Sequence, residues 1–217
     1  MANINSMFSS LNYILFEFIF ICLSISVFII YPKILKFRHI FLILSLLYIL
    51  YISSQTNVPS IFAVFQFPDL FSTIFYCLIP TIIISLSIII IHKFKPDYIV
   101  DSTKVINHPK LPKITPLILY PLLSVPLQEI IFRWFYINRL QNPSFSLIFI
   151  IIFSSLVFAI VHLPFGKIPL FIGTFLLGIW WGTLYITTGN IWYPIISHAI
   201  LGNILIWLAI YPDALSQ

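Results

Sequence analysis

Charge is what this sequence has least of. Asp, Glu, Lys and Arg make up 8% of its 217 residues, about a third of the ~25% typical of a soluble globular domain. So few charges cannot cover a water-facing surface, whereas lipid asks for no such cover. Cysteine is nearly as scarce. Cys22 and Cys77 each lie inside an apolar run, where a thiol behaves as a small hydrophobe and neither disulfide nor metal-ligand spacing is offered. His-Glu-x-x-His and Gly-x-Ser-x-Gly are both missing, and neither cysteine stands beside a histidine. These absences argue against ordinary zincin, serine and thiol hydrolases.

What the chain has instead is long, continuous apolar sequence, 60% hydrophobic residues in all. Barrel strands would alternate and stay near ~10 residues, so helices are the expected way through the bilayer. The runs cover 11–30, which holds Glu17, then 40–52, 71–91 with Pro80 inside, and 114–136, interrupted by Pro116, Pro121 and Pro126. They continue through 145–162, 168–187 with three glycines, and 192–210. The stretch 57–70, with Pro59 and Pro68 among phenylalanines, reads as interfacial and adds a span only if it dips through the bilayer. The expected fold is therefore all-α: a polytopic integral membrane helical bundle with about seven or eight transmembrane helices, one domain over 1–217.

A net charge of +5 invites a nucleic-acid reading, but the basic residues lie between apolar runs. Lys33, Lys36 and Arg38 form one cluster, and Lys93, Lys95, Lys104, Lys110 and Lys113 mark a second. The positive-inside rule puts both in the cytoplasm, with the amino terminus outside and the 213–217 tail inside. The expected location is a prokaryotic cytoplasmic membrane, with a retained first helix, no nucleic-acid partner and no oligomeric state specified.

Four polar groups stand in hydrocarbon-length segments: Glu129, Arg133, His162 and His198. Each is costly in lipid, about 2.5 kcal/mol or more when charged, so each is expected to face the bundle interior. Glu129 and Arg133 are four apart and can pair on one helix. Gln128 points about 100° away from Glu129 on an ideal helix, so one of the two faces the cavity and the other braces a neighbour. Phe158 and His162 share a face, as do His198 and Gly202, whereas Asn203 lies about 140° around from His198. Two histidines and a carboxylate can activate water. The same three could bind a divalent metal such as zinc. The pattern alone leaves both open.

In order, spacing and apolar setting, Gln128-Glu129-Ile130-Ile131-Phe132-Arg133, Phe158-Ala159-Ile160-Val161-His162 and the segment from His198 together resemble a known family. These are the intramembrane proteases that include the type II prenyl-protein (CAAX) endopeptidases and the bacteriocin-processing or Abi proteins. The resemblance spans 124–207, within an expected core of 114–210. It implies hydrolysis of peptide bonds in membrane-associated peptide or protein substrates, in the lipid bilayer and with no cofactor, although a divalent metal stays open. Implied catalytic positions are Gln128, Glu129, Arg133, His162 and His198, with Phe132, Phe158 and Asn203 toward the substrate. Two departures accompany it: the family's leading glutamate is Gln128 here, and the polar group four residues after the last histidine is Gly202, with Asn203 one step late. The alternatives to a protease are a non-catalytic membrane protein that binds peptide or lipid and, less favoured, a transporter.

The orientation is testable. Single cysteines placed at Lys36 and Lys104 are expected to react with an impermeant thiol reagent only from the cytoplasmic side; labelling of both from outside reverses the topology.

Overall fold

The computed structural model describes Tyr13, Glu17 and residues 38–56, 58–96, 98–100, 114–141, 145–165 and 167–212. Six helices run through it from residue 38 onward: α1 Arg38–Ser54, α2 Leu70–Phe94, α3 Ile114–Leu140, α4 Leu147–Ile160, α5 Ile168–Thr188 and α6 Trp192–Ile210. The molecule is an integral membrane helical bundle, apolar on the outside. Ile82, Ile83, Leu86 and Ile90 on α2 and Ile172 and Leu176 on α5 are exposed, while Glu129 and Arg133 on α3 are 0% exposed. That inversion suits lipid as the solvent.

The number of spans is lower than the apolar runs suggest. Among the described residues four helices, α2, α3, α5 and α6, are long and apolar enough to cross a membrane, which corrects the expectation of seven or eight. The run 145–162 forms only the 14-residue α4, about 21 Å at 1.5 Å per residue against roughly 30 Å of hydrocarbon. The run 40–52 lies in α1, a helix of 17 residues, shorter than any of those four. In 58–69 the prolines supply no backbone donors, and the segment is irregular apart from one 3-10 turn, Ile61–Val64. The expected first span, 11–30, lies outside the described residues except for Tyr13 and Glu17, as do Cys22, Lys33, Lys36, Lys104, Lys110, Lys113 and the 213–217 tail.

Proline shapes the two longest helices. A proline inside a helix removes one N–H and crowds the preceding turn. Here π-helical turns, which bond i to i+5, adjoin these positions: Thr73–Leu78 precedes Ile79-Pro80 in α2, and Tyr120–Ser124 contains Pro121 in α3. Pro126 opens the next α-helical stretch, Val125–Glu129, and a further π turn covers Ile130–Phe135. α3 therefore runs on through its prolines, with its side chains rotated away from ideal α-helical positions.

A strap formed by 58–69 crosses one end of the bundle. Trp134 Nε1 donates to Pro59 O at 3.0 Å, Ile191 N to Val64 O at 3.0 Å and Asn190 Nδ2 to Gln66 O at 2.8 Å. Asp69 caps α2 by accepting from Ser72 N at 2.8 Å and also accepts from Tyr193 Oη at 3.1 Å. The Ser72 N–H holds that carboxyl below its usual range.

α4 and α5 pack closely because a glycine sits at their crossing. A Cβ added at Gly178 would lie 2.9 Å from Ser155 Cβ and 3.0 Å from Ser155 Cα, so the helices meet nearly backbone to backbone. Gly178→Leu is expected to lower stability by about 1–3 kcal/mol, read as a reduced thermal unfolding midpoint in detergent; an unchanged midpoint would disprove this packing.

Candidate active site

The site forms where α3, α4 and α6 meet under α5. Arg133 is the residue that demands most of its surroundings, because a guanidinium does not give up its proton to escape burial. Its Nε lies 3.1 Å from Glu129 Oε2, and neither side chain is accessible. The guanidinium also sits over the Phe158 ring at 4.6 Å and the Trp181 ring at 5.9 Å, where aromatic faces attract a cation. Among the described residues its two terminal nitrogens have no hydrogen-bond partner, so ring faces take the place of polar acceptors.

The other oxygen of Glu129 goes to α6. His198 Nδ1 lies 2.6 Å from Glu129 Oε1, and an ionised carboxylate can only accept, so Nδ1 carries the proton. Nε2 of the neutral ring is then an acceptor, and the Tyr120 hydroxyl donates to it at 2.8 Å. The imidazole is held on its flat side too, stacked on Trp181 with ring centroids 4.6 Å apart. Trp181 is fixed in turn by its Nε1–H bond to Ser197 Oγ at 2.9 Å.

His162 arrives differently. Because α4 ends at Ile160, this histidine lies in the turn beyond it. Its Nδ1–H donates to Phe158 O at 2.7 Å, and Nε2 has no hydrogen-bond partner among the described residues. The rings of His162 and His198 are 6.5 Å apart.

The structure thus gathers Glu129, Arg133, His162 and His198 around Phe158, which is 0% exposed and touches the Arg133, His162, His198 and Phe132 side chains. Phe132 is buried as well, and its carbonyl accepts from Ser154 Oγ at 2.5 Å. Gln128 is half-buried and, among the described residues, takes no part in the contacts that hold Glu129. Asn203 turns toward the start of α3 and donates to Leu117 O at 3.1 Å. Glu17 belongs to a second buried pair: its oxygens accept from Arg139 Nε at 3.0 Å and Tyr48 Oη at 2.5 Å.

Sequence reasoning gave neither Tyr120 nor Trp181 a part in the site. The available signal was at Gly202, since a Cβ there would overlap the Tyr120 ring. For a metal, the donors are already committed: both oxygens of Glu129 and both nitrogens of His198 are engaged, and His162 offers Nε2. Among the described residues no group of three or more His, Cys, Asp or Glu is placed to hold an ion.

Fold and site define an integral membrane helical protein with a buried carboxylate, arginine and histidine centre. Residues 110–204 match the family model described as Type II CAAX prenyl endopeptidase Rce1-like, so this part of the chain is a CAAX-protease-like, Rce1-like domain. It contains Gln128, Glu129, Arg133, His162 and His198. No curated protein and no solved structure matches the chain.

The buried pair makes a stability prediction. Arg133→Ala strands Glu129 beside His198 with its nearest cation gone, a change expected to cost about 3–5 kcal/mol. Chemical denaturation in detergent measures it, and a loss below ~1 kcal/mol would mean the pair is not structurally important.

Proposed function

We propose that the protein is an intramembrane endopeptidase-like hydrolase acting on membrane-associated peptides or proteins, with water activated by its glutamate and histidine groups. The observation that carries this reading is the shared centre of Glu129, His162 and His198 inside the Rce1-like domain. In the reaction a water proton passes to a basic side chain, the oxygen bonds to the peptide carbonyl carbon, the C–N bond breaks, and the leaving amine takes the proton back. His162, whose Nε2 has no partner among the described residues, is suited to one of these transfers. Arg133 and the aromatic rings keep the centre rigid, and Phe132 and Phe158 pack around it, while Asn203 stands apart against the start of α3. The protein works in a prokaryotic cytoplasmic membrane with its basic loops in the cytoplasm.

Gln128 favours a second reading. An amide has no useful basicity, and both oxygens of the neighbouring Glu129 are occupied by Arg133 and His198. A non-catalytic relative that binds membrane peptide or lipid would keep the same bundle and buried centre.

One mutant series separates the two. The present chain, Gln128→Glu, Glu129→Gln and the double variant are compared on the same candidate membrane peptides, with new termini read by mass spectrometry. Gln128→Glu is expected to raise cleavage by about 10²- to 10⁴-fold, the usual worth of a general base. Peptide binding by both proteins with no cleavage by either would overturn the hydrolase reading in favour of the binding one.

A further inference from the structure

We infer that Tyr120 is the proton-transfer residue of this site, the reachable end of a hydrogen-bonded chain that runs Glu129, His198, Tyr120. The inference rests on the hydrolase reading above for its effect on turnover. Its geometry stands separately.

The three groups are in line and all polarised the same way. Glu129 Oε1 accepts from His198 Nδ1 at 2.6 Å, and His198 Nε2 accepts from the Tyr120 hydroxyl at 2.8 Å. This is the arrangement in which a carboxylate orients an imidazole and the imidazole acts as base toward a hydroxyl. Burial decides which member meets a reactant: Glu129 is 0% and His198 3% exposed, whereas Tyr120 is half-buried. The acid and the imidazole are sealed inside, and Tyr120 is the one of the three residues that keeps exposed surface.

Two local features aim the phenol. Tyr120 is the first residue of the π turn Tyr120–Ser124, which turns its side chain toward α6. There Gly202, one turn after His198, leaves room for the ring; a Cβ at Gly202 would overlap the ring and its hydroxyl. The Tyr120 and His198 rings meet edge to face, 5.8 Å between centroids and 77° between planes. A glycine in the middle of α6 weakens that helix relative to alanine, and the tyrosine is what occupies the space it leaves.

The proton movement balances without any further reagent. A water in contact with Tyr120 gives its proton to the phenol oxygen as the phenol's own proton passes to His198 Nε2. Hydroxide and an imidazolium result, and Glu129 lies against the imidazolium at Nδ1. Hydroxide bonds to the peptide carbonyl carbon. When the C–N bond breaks, the leaving nitrogen takes the phenol proton and Nε2–H restores it. Such a relay supplies a base to a site in which position 128 is an amide.

The test uses Tyr120→Phe, which removes only the hydroxyl, and Gly202→Ala, which displaces the ring, in the present chain and in the Gln128→Glu background. The protein is held in nanodiscs with ¹⁵N-labelled histidine, and His198 is assigned by its loss in His198→Gln. Both variants are expected to move the Nε2 signal to that of an acceptor without a donor. The Nδ1 proton stays in place. In whichever background cleaves, Tyr120→Phe is expected to lower kcat by about 10²-fold or more with KM and thermal midpoint little changed. The double variant is expected to be no worse than either single one, since both break the same contact. An unmoved Nε2 signal in Tyr120→Phe, or unchanged kcat in a cleaving protein, overturns the inference while leaving the hydrolase reading intact. If neither background cleaves, the hydrolase reading fails and the relay falls with it.

Discussion

Most of the interior follows from one constraint: a guanidinium inside an apolar bundle needs an anion beside it. Arg133 meets that need with Glu129 four residues back on α3. Such a pair only partly offsets the cost of taking two charges from water, and the remaining capacity of each partner organises the neighbours. The free oxygen of Glu129 draws His198, and with it α6, onto α3. The guanidinium face draws Phe158 from α4 and Trp181 from α5. Four helices are thus fixed around one buried charge pair, which makes the chemistry of the site and the packing of the bundle hard to separate.

The helix that carries the pair is irregular in a way that serves it. Pro121 and Pro126 would each break the hydrogen-bond ladder of a straight α-helix. The π turns keep α3 continuous and change the bearing of each residue after them. Tyr120 stands nine residues before Glu129, yet both reach the same imidazole from opposite sides. On an ideal helical wheel that convergence has no special meaning.

The rarity of charge is also why so much of the site could be read in advance. With only 6 acidic and 11 basic residues in the chain, an Arg or Glu in an apolar run stands out, and the cost of burying it alone predicts that it finds a partner. Glu129, Arg133, His162 and His198 were legible on that ground. Span number was not, because hydropathy shows where a segment is apolar and not how far its helix runs. The 145–162 run yields 14 helical residues and 57–70 yields one 3-10 turn. Tyr120 and Trp181 were hidden for the opposite reason. Aromatic residues make up 18% of the chain, so two with polar work to do are lost among many that only fill space. Glu17 was visible as an anomaly, but its partner Arg139 lies more than a hundred residues away, beyond any local pattern.

The strap over the end of the bundle has a lesson about inheritance. Three of its anchoring bonds end on its own main-chain carbonyls, at Pro59, Val64 and Gln66, and the donors are Trp134, Ile191 and Asn190 on the bundle. Every residue type has a carbonyl, so these bonds place no demand on which side chains the strap carries. At the exposed Pro59 and Gln66 its sequence is free to drift over generations as long as the backbone path survives, while Trp134 and Asn190, whose side chains do the donating, and Asp69, whose side chain caps α2, are not.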